Sequence, residues 1–224
     1  MSRVMAGVLV LGLLMALPQN ASASGAELRL GGFMPSADSN LFDDDDDLYG
    51  TEDNDWRGFT GGLEFSFDLG PNVELGLHVD GYGRQLSTSY REFTHSDGGE
   101  IRQELKLSTV PVGASLRLLP AGKRAAISPY VAAGIDVVGY KYEEFGEFID
   151  FRGDFDILDD AFIDEGAAFG FHAAAGVRVR VNYDWSITGE VRYLNAKTDM
   201  GDDFSGNRID LGGVSATLGV NIRF

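Results

Sequence analysis

The sequence contains no cysteine, and this absence excludes several kinds of site. There is no cysteine for lipid attachment behind an export signal, and the chain can form neither a disulfide nor a thiolate metal site. Basic residues are scarce as well, because 18 lysines and arginines stand against 35 acidic residues, for a net charge of −17. A nucleic-acid-binding protein needs the opposite sign, so nucleic acid is excluded as a partner.

Long apolar runs are missing from all but the start of the chain. The one run there, Met5 to Leu17, has thirteen residues, fewer than the ~20 that a membrane-spanning helix needs. It follows Arg3 and precedes a small-x-small cleavage site at Ala21-Ser22-Ala23, which is typical of a secretory signal peptide. We therefore expect residues 1–23 to be a cleaved signal peptide and residues 24–224 to form one exported domain.

What the remaining sequence has is alternation. Eight segments place apolar and polar residues on opposite faces with a period of two, which predicts β-strands. In the last segment, Val214, Leu218 and Phe224 share the apolar face. The predicted strands span roughly residues 26–34, 57–68, 72–83, 105–118, 127–140, 167–182, 185–194 and 210–224.

The connections between these segments alternate in length. Those after the second, fourth and sixth segments are short, and those after the first, third, fifth and seventh are long. Every long connection therefore lies at one end of an up-and-down meander, and an even strand number puts both termini at the other end. Short turns, long loops and strands of about ten residues are typical of transmembrane barrels.

The polar register of the strands carries balanced charges. It holds six acids and six bases, namely Glu27, Glu64, Glu74, Asp80, Asp136 and Glu190 with Arg29, Arg117, Arg178, Arg180, Arg192 and Arg223. Bulk water would not require such a balance, whereas a narrow interior would, because an unpaired buried charge costs several kcal/mol. We therefore expect a charge network inside and the apolar register on lipid, where closure of the sheet is forced.

One proline conflicts with a regular closed sheet. Pro111 lies inside the fourth segment, and proline cannot donate a ladder hydrogen bond. Because a barrel has no edge strand, Pro111 predicts a bulge or a locally lost ladder bond.

The second half of the chain resembles a known family. The stretches "PYVAAGIDV", "GFHAAAGVRVRV", "WSITGEVRYL" and the final strand ending in Phe224 look like small outer-membrane β-barrels of the OmpA, OmpX and OmpW types. The resemblance implies an all-β fold, an eight-stranded antiparallel up-and-down transmembrane β-barrel in the cell outer membrane of a Gram-negative bacterium. It also implies that Phe224 is an assembly signal read by the barrel-assembly machinery. We expect a monomer in contact with outer-membrane lipid and lipopolysaccharide.

The long connections hold most of the acids. Residues 35–56 carry nine acids and no base, and residues 141–166 carry ten acids against two bases. An EF-hand in "DFDILDDAFIDEG" fails, because the required glycine and the ligand before it are missing. A looser Ca²⁺ or Mg²⁺ site is a weak candidate at Asp43, Asp44, Asp45, Asp46 and Asp47. A solvated flexible loop or adaptation to a saline habitat explains the same acids.

Catalysis is not expected, and neither is a cofactor. His78 and His172 lie on the polar register, where they are more simply partners in the interior network. His95-Ser96-Asp97 lies in a predicted loop, and three consecutive residues cannot converge as a catalytic triad unaided.

Three functions stay open at this stage. The first is a barrel plugged by its own charges, with a structural or surface-interaction role exerted through acidic loops, since eight strands leave room only for side chains. The second is a small OmpW-like channel for hydrophobic or small solutes, lined by loop aromatics such as Phe42, Phe145, Phe148, Phe151, Phe155 and Phe162. The third is a soluble periplasmic lipocalin-like barrel, which requires the apolar register inside.

Overall fold

The computed structural model describes residues 24–36, 41, 48–49, 51, 54–149, 156–201, 204 and 208–224. The predicted signal peptide, the candidate cation site at residues 43–47, and Phe42, Phe151 and Phe155 lie outside these described residues. Among the described residues, no helix has the length and hydrophobicity needed to cross a membrane.

The described chain is built from antiparallel strands. They are β1 (Gly25–Pro35), β2 (Gly58–Asp68), β3 (Val73–Thr94), β4 (Glu100–Leu118), β5 (Ile127–Ile149), β6 (Ile157–Arg180), β7 (Trp185–Asp199), β8 (Arg208–Asp210) and β9 (Gly213–Arg223). Each strand from β1 to β7 pairs with the next, β9 pairs with β7, and β9 also pairs with β1. The sheet therefore closes into a ring and has no edge.

Strands β8 and β9 together form the eighth strand of the barrel. Asp210 pairs with Lys197 of β7, and Gly213 pairs with Leu194 in the same register. Only Leu211 and Gly212 interrupt the strand. The barrel thus has eight strands, as the sequence predicts, with the eighth broken once.

Pro111 interrupts the ladder as expected. Pairing between β3 and β4 stops after Val79 with Val112 and resumes at Tyr82 with Thr109, in an unchanged register. On its other side Pro111 keeps its place opposite Val138 of β5. The prediction of a locally lost ladder bond is confirmed, and no bulge forms there.

The strands are longer at one end than the sequence predicts. The predicted starts and ends at the short-turn end agree with the structure within a few residues. At the other end, β3 and β4 continue to Thr94 and from Glu100, and β5 and β6 continue to Ile149 and from Ile157. Much of what the pattern assigns to long loops is therefore strand, and Phe145, Phe148 and Phe162 lie within it.

Strand β4 shows why these ends were missed, because its two halves have opposite polarity. In the lower half Arg117 points inward while Leu116 and Leu118 lie exposed on the outside. In the upper half Leu105 and Leu107 are buried inside, and Lys106 is exposed outside. The inside–outside alternation never slips, so only the surrounding medium changes along the strand.

The whole barrel repeats this inversion and so has two levels. The lower level, next to the short turns, has a charged interior and an apolar exterior that exposes Phe59, Phe169 and Leu218. The upper level, which we call the extension, comprises the parts of the strands beyond Tyr82, Thr109, Val138 and Ala168. Its interior is mainly apolar and its exterior mainly polar, although Phe93, Leu158 and Ile163 are exposed. A hydrocarbon band around the lower level and water around the extension account for both patterns.

Candidate functional site in the barrel interior

Neighbouring strands deliver the charged side chains to one level of the interior. Ten of the twelve residues of the predicted network lie there, while Arg180 does not and Arg223 reaches it only from the short-turn end, 4.0 Å from Glu74. Glycines on adjacent strands make the room: a Cβ at Gly62 would overlap the Asp80 carboxylate. Small residues are therefore as much a part of this interior as the charges are.

Glu64 lies at the centre of the ion-pair network. Its carboxylate accepts hydrogen bonds from Arg29 at 3.0 Å and from Arg117 at 2.7 Å. All three side chains are at most 2% exposed. Arg117 also stacks over the Tyr130 ring, 4.5 Å from its centroid, a cation–π contact that the sequence did not reveal.

Two further carboxylates hold arginines in paired hydrogen bonds. Glu74 accepts from both terminal nitrogens of Arg178, at 2.9 and 3.0 Å. Asp80 accepts from Nε and Nη2 of Arg29, at 2.9 and 2.7 Å, and from Arg192 at 3.1 Å. Such two-point contacts fix the position of the guanidinium as well as neutralise its charge.

Arg192 also pairs with Glu190 on its own strand. The two side chains approach to 2.9 Å, and the Tyr130 hydroxyl donates to the same carboxylate at 3.0 Å. The network thus runs without interruption across the interior, from β1 through β4 to β7.

Within the described part of the chain, two carboxylates of this interior have no arginine partner within salt-bridge distance. Glu27 accepts a hydrogen bond from the Thr188 hydroxyl at 2.8 Å, and its second oxygen has no hydrogen-bond partner among the described residues. Asp136 lies between His78 and His172, which approach its two oxygens at 2.8 and 2.5 Å. The sequence places both histidines on the polar register but does not show that they converge on Asp136.

The predicted balance of six acids and six bases does not hold inside the barrel. Arg180 lies exposed at the short-turn end. Arg223 is partly exposed there, pairs with Asp68 at 3.3 Å and reaches Glu74 only at 4.0 Å, so it lies at the lower rim of the network and not within it. The interior therefore holds six carboxylates and four guanidiniums, a surplus of two negative charges when the histidines are neutral.

The interior of the extension is closed by an apolar core that sequence reasoning missed. Trp56, Tyr142 and Ile209 are at most 1% exposed. The Tyr142 ring packs against Trp56 and Phe204, with centroids 6.3 and 5.6 Å apart. The signal was present in the alternation of residues 101–107, but its polarity is opposite to that of a membrane strand.

One small cavity separates the two levels. Its volume is about 40 Å³, and Arg29, Asp80 and Asp136 line it from below while Phe33, Tyr82 and other residues line it from above. This space holds a water molecule but no larger solute.

Glu144 is one of the carboxylates buried in the extension. Glu144 is 7% exposed, and burial raises the pKa of its carboxyl to about 7, opposed by a hydrogen bond with Tyr142. Its neighbour Glu143 instead pairs with Lys141, which holds the pKa of Glu143 below its usual value.

The three residues His95, Ser96 and Asp97 do not assemble a nucleophile and base. His95 faces Glu147 at 3.1 Å, and the Asp97 carboxylate accepts the backbone N–H of Gly99 in the hairpin tip. The histidine and the aspartate are therefore both occupied by other partners, as parts of a turn.

Comparison with known proteins agrees with this architecture. Residues 6–224 match the family described as the outer membrane protein beta-barrel domain. The chain belongs to this family. Its place is the cell outer membrane, where the charged lower level spans the bilayer and the extension projects outward, since barrels of this kind place short turns in the periplasm and long connections outside.

Solved barrels share the fold at low identity. OprG from Pseudomonas aeruginosa matches with a TM-score of 0.56 and 14% identity, over 93% of this chain and 99% of that one. Neisserial surface protein A matches with a TM-score of 0.51 and 13% identity, over 92% of this chain and all of that one. No curated protein sequence matches. The outward-facing apolar band excludes the lipocalin-like alternative, which would need that register inside.

Proposed function

We propose that this outer membrane barrel is sealed and non-catalytic, and that it serves a structural or surface-interaction role through its acidic extracellular extension. Its direct partners are outer-membrane lipid and lipopolysaccharide, with the barrel-assembly machinery acting during insertion. The protein works as a monomer.

One observation carries this proposal: two different plugs are stacked along the axis. The ion-pair network fills the membrane level, and the aromatic and aliphatic core fills the extension. Opening a passage would require breaking buried ion pairs and a packed core together. Because leaving one buried charge without its partner costs about 3–5 kcal/mol, the sealed state is strongly favoured.

Planar-bilayer recording tests the seal. Protein whose folding is verified by heat-modifiable gel mobility should give no stable current. A variant with Arg29→Ala, Glu64→Ala and Arg117→Ala empties only the centre of the network and should stay closed, whereas the same variant with Trp56→Ala added also opens the apolar core and should raise conductance. A stable, ion-selective current from the unaltered protein would overturn the proposal.

The acidic outer surface of the extension supports the proposed surface-interaction role. Exposed acids of the extension include Glu92, Glu104, Asp160 and Glu165, and carboxylate oxygens suit Ca²⁺ and Mg²⁺. Divalent cations bound there would bridge the protein to the phosphates of lipopolysaccharide. The candidate cation site at residues 43–47 is tested by calcium titration of the unaltered protein and of a variant with these residues replaced by alanine. Equal calcium binding by the two proteins would show that residues 43–47 are not a cation site.

A hydrophobic-solute channel is the second candidate, favoured by the apolar interior of the extension. The apolar residues inside the extension would form the entrance for the solute, which would leave sideways between strands above the ion pairs. An apolar fluorescent probe in detergent-free nanodiscs distinguishes the two functions. Saturable binding that Trp56→Ala alters would support the channel, and unsaturable partitioning into lipid alone would support the sealed barrel.

A further inference from the structure

The cluster of His78, Asp136 and His172 has donors arranged as metal ligands are. One ligand atom from each of His78, Asp136 and His172 lies within 4.8 Å of the others, and all three residues are buried. Nε2 of His78 and Nδ1 of His172 are the nitrogens that face the Asp136 carboxylate. The two imidazoles meet at an angle of 75° with centroids 5.1 Å apart. Three donors therefore converge on one point from three strands.

The sheet register creates this convergence. His78 of β3 pairs with Gly113 of β4, and Gly113 pairs in turn with Asp136 of β5. A Cβ at Gly113 would overlap the Asp136 carboxylate. On the other side Gly134 pairs with His172, and a Cβ there would crowd that imidazole. The glycines thus clear the space in which the donors meet.

The outer nitrogens of the imidazoles are a second, independent observation. Nδ1 of His78 and Nε2 of His172 are buried, and neither has a hydrogen-bond partner among the described residues. In most proteins a partner on that nitrogen fixes the tautomer. Here the inner nitrogens instead hydrogen-bond Asp136, so a cation between the rings would replace the proton of each of these hydrogen bonds, and that proton would move to the outer nitrogen or to solvent.

The excess of negative charge in the barrel interior also favours a bound cation. The six carboxylates exceed the four buried guanidiniums by two charges, Arg223 approaching only Glu74 from the rim, and no arginine of the described residues lies within salt-bridge distance of Asp136. The arginines that act on His78, namely Arg29 and Arg192, are both bound by Asp80. One divalent cation at Asp136 would offset this surplus of negative charge.

We propose that His78, Asp136 and His172 form a binding site for a divalent transition-metal ion, with Zn²⁺ as the best match. Two imidazole nitrogens select such ions over Ca²⁺ and Mg²⁺, which prefer oxygen. The carboxylate supplies the third ligand. Asp136 also lines the 40 Å³ cavity, which has room for a water as the fourth ligand. The ion closes the membrane level of the barrel, and no reaction is assigned to it.

Metal content of the folded protein tests this site directly. Protein refolded in detergent with ZnCl₂ and then dialysed should retain about one zinc per chain. His78→Gln and His172→Gln should each weaken binding by at least about 100-fold, the upper range for losing even a supporting residue. Heat-modifiable mobility identifies the folded fraction of each variant.

His95→Gln is the matched control, because His95 also contacts a carboxylate but lies in the extracellular hairpin tip. It should leave zinc binding unchanged. Cu²⁺ in place of Zn²⁺ should show an electron paramagnetic resonance spectrum coupled to two nitrogens, which is lost in both site variants. Folded protein that retains no metal, or site variants that bind as the unaltered protein does, would overturn the proposal. So would nitrogen NMR showing both imidazoles doubly protonated at neutral pH with zinc present.

Discussion

At the scale of single residues, position along the barrel axis decides what a charge does. Arg178 and Arg180 lie two residues apart on β6 and share the polar register. Arg178 is buried and held by both oxygens of Glu74, whereas Arg180 is exposed. The same side chain is a structural cation at one height and a surface group at the next.

These two arginines make a matched pair for a stability measurement. Arg178→Ala leaves Glu74 without its main partner, so we expect the free energy of unfolding to fall by about 3–5 kcal/mol. Arg180→Ala should change it by less than about 0.5 kcal/mol. Urea unfolding in lipid vesicles, followed by tryptophan fluorescence, measures both. Equal effects would mean that the ion pairs of the interior do not contribute to stability.

Glu144 gives the extension a dependence on pH. Its folded pKa of about 7 lies above the unfolded value near 4.3, so the folded state holds the proton more tightly. Stability is therefore greatest below about pH 4 and falls as the pH rises through 7, by about 4 kcal/mol in all.

Hydrogen exchange of the extension amides at pH 5 and pH 8 measures this effect. Glu144→Gln should remove most of the difference between the two pH values. Glu143→Gln is the control, since Glu143 is already ionised beside Lys141 and should leave the difference intact. A difference that survives Glu144→Gln would assign the pH dependence to another group.

At the scale of the strand, β4 crosses from lipid into water without changing register. Leu116 and Leu118 face outward at the membrane level, and Arg102 and Glu104 face outward in the extension. When the polarity of the two faces is inverted along a strand in this way, the sequence pattern predicts only the membrane part as strand and the remainder as a polar loop. The pattern predicted the strand to begin at residue 105, whereas it begins at Glu100.

Spin labels on this one face test the boundary. The chain has no cysteine, so single cysteines at residues 116 and 118 or at residues 102 and 104 can be labelled cleanly. The first pair should be accessible to oxygen, and the second pair to a water-soluble nickel complex. Water accessibility at residue 118 would contradict the assignment of the lower level to the bilayer.

At the scale of the whole molecule, the two levels of one continuous sheet are stabilised in different ways. The lower level is a membrane barrel with a polar interior, and the extension is built as a soluble β-barrel with an apolar core. Burial of apolar surface stabilises the extension, while the hydrocarbon of the bilayer surrounds the level below. The two levels should therefore lose their structure separately.

Trp56→Ala tests that separation. Truncating a fully buried tryptophan costs about 3–5 kcal/mol, and here the loss falls on the extension. Amides of residues 84–107 should exchange faster, while heat-modifiable mobility of the barrel persists. Tyr193→Ala, which removes an exposed ring from the membrane level, should leave those amides unchanged. A concerted loss of both levels in Trp56→Ala would show that they form one cooperative unit.

The sequence by itself determined the number of strands, their direction, the end that carries the short turns and the side on which each residue lies. It did so because the alternation of a strand and the residues of a tight turn are local properties. Tertiary structure decided the rest. Asp136 meets His78 and His172 from strands that lie 58 and 36 residues away along the chain, a convergence fixed by the register of the closed sheet. The height of each residue above or below the membrane boundary decided whether the same alternation meant charges inside or an apolar core, because alternation shows two faces but not the medium that each one meets.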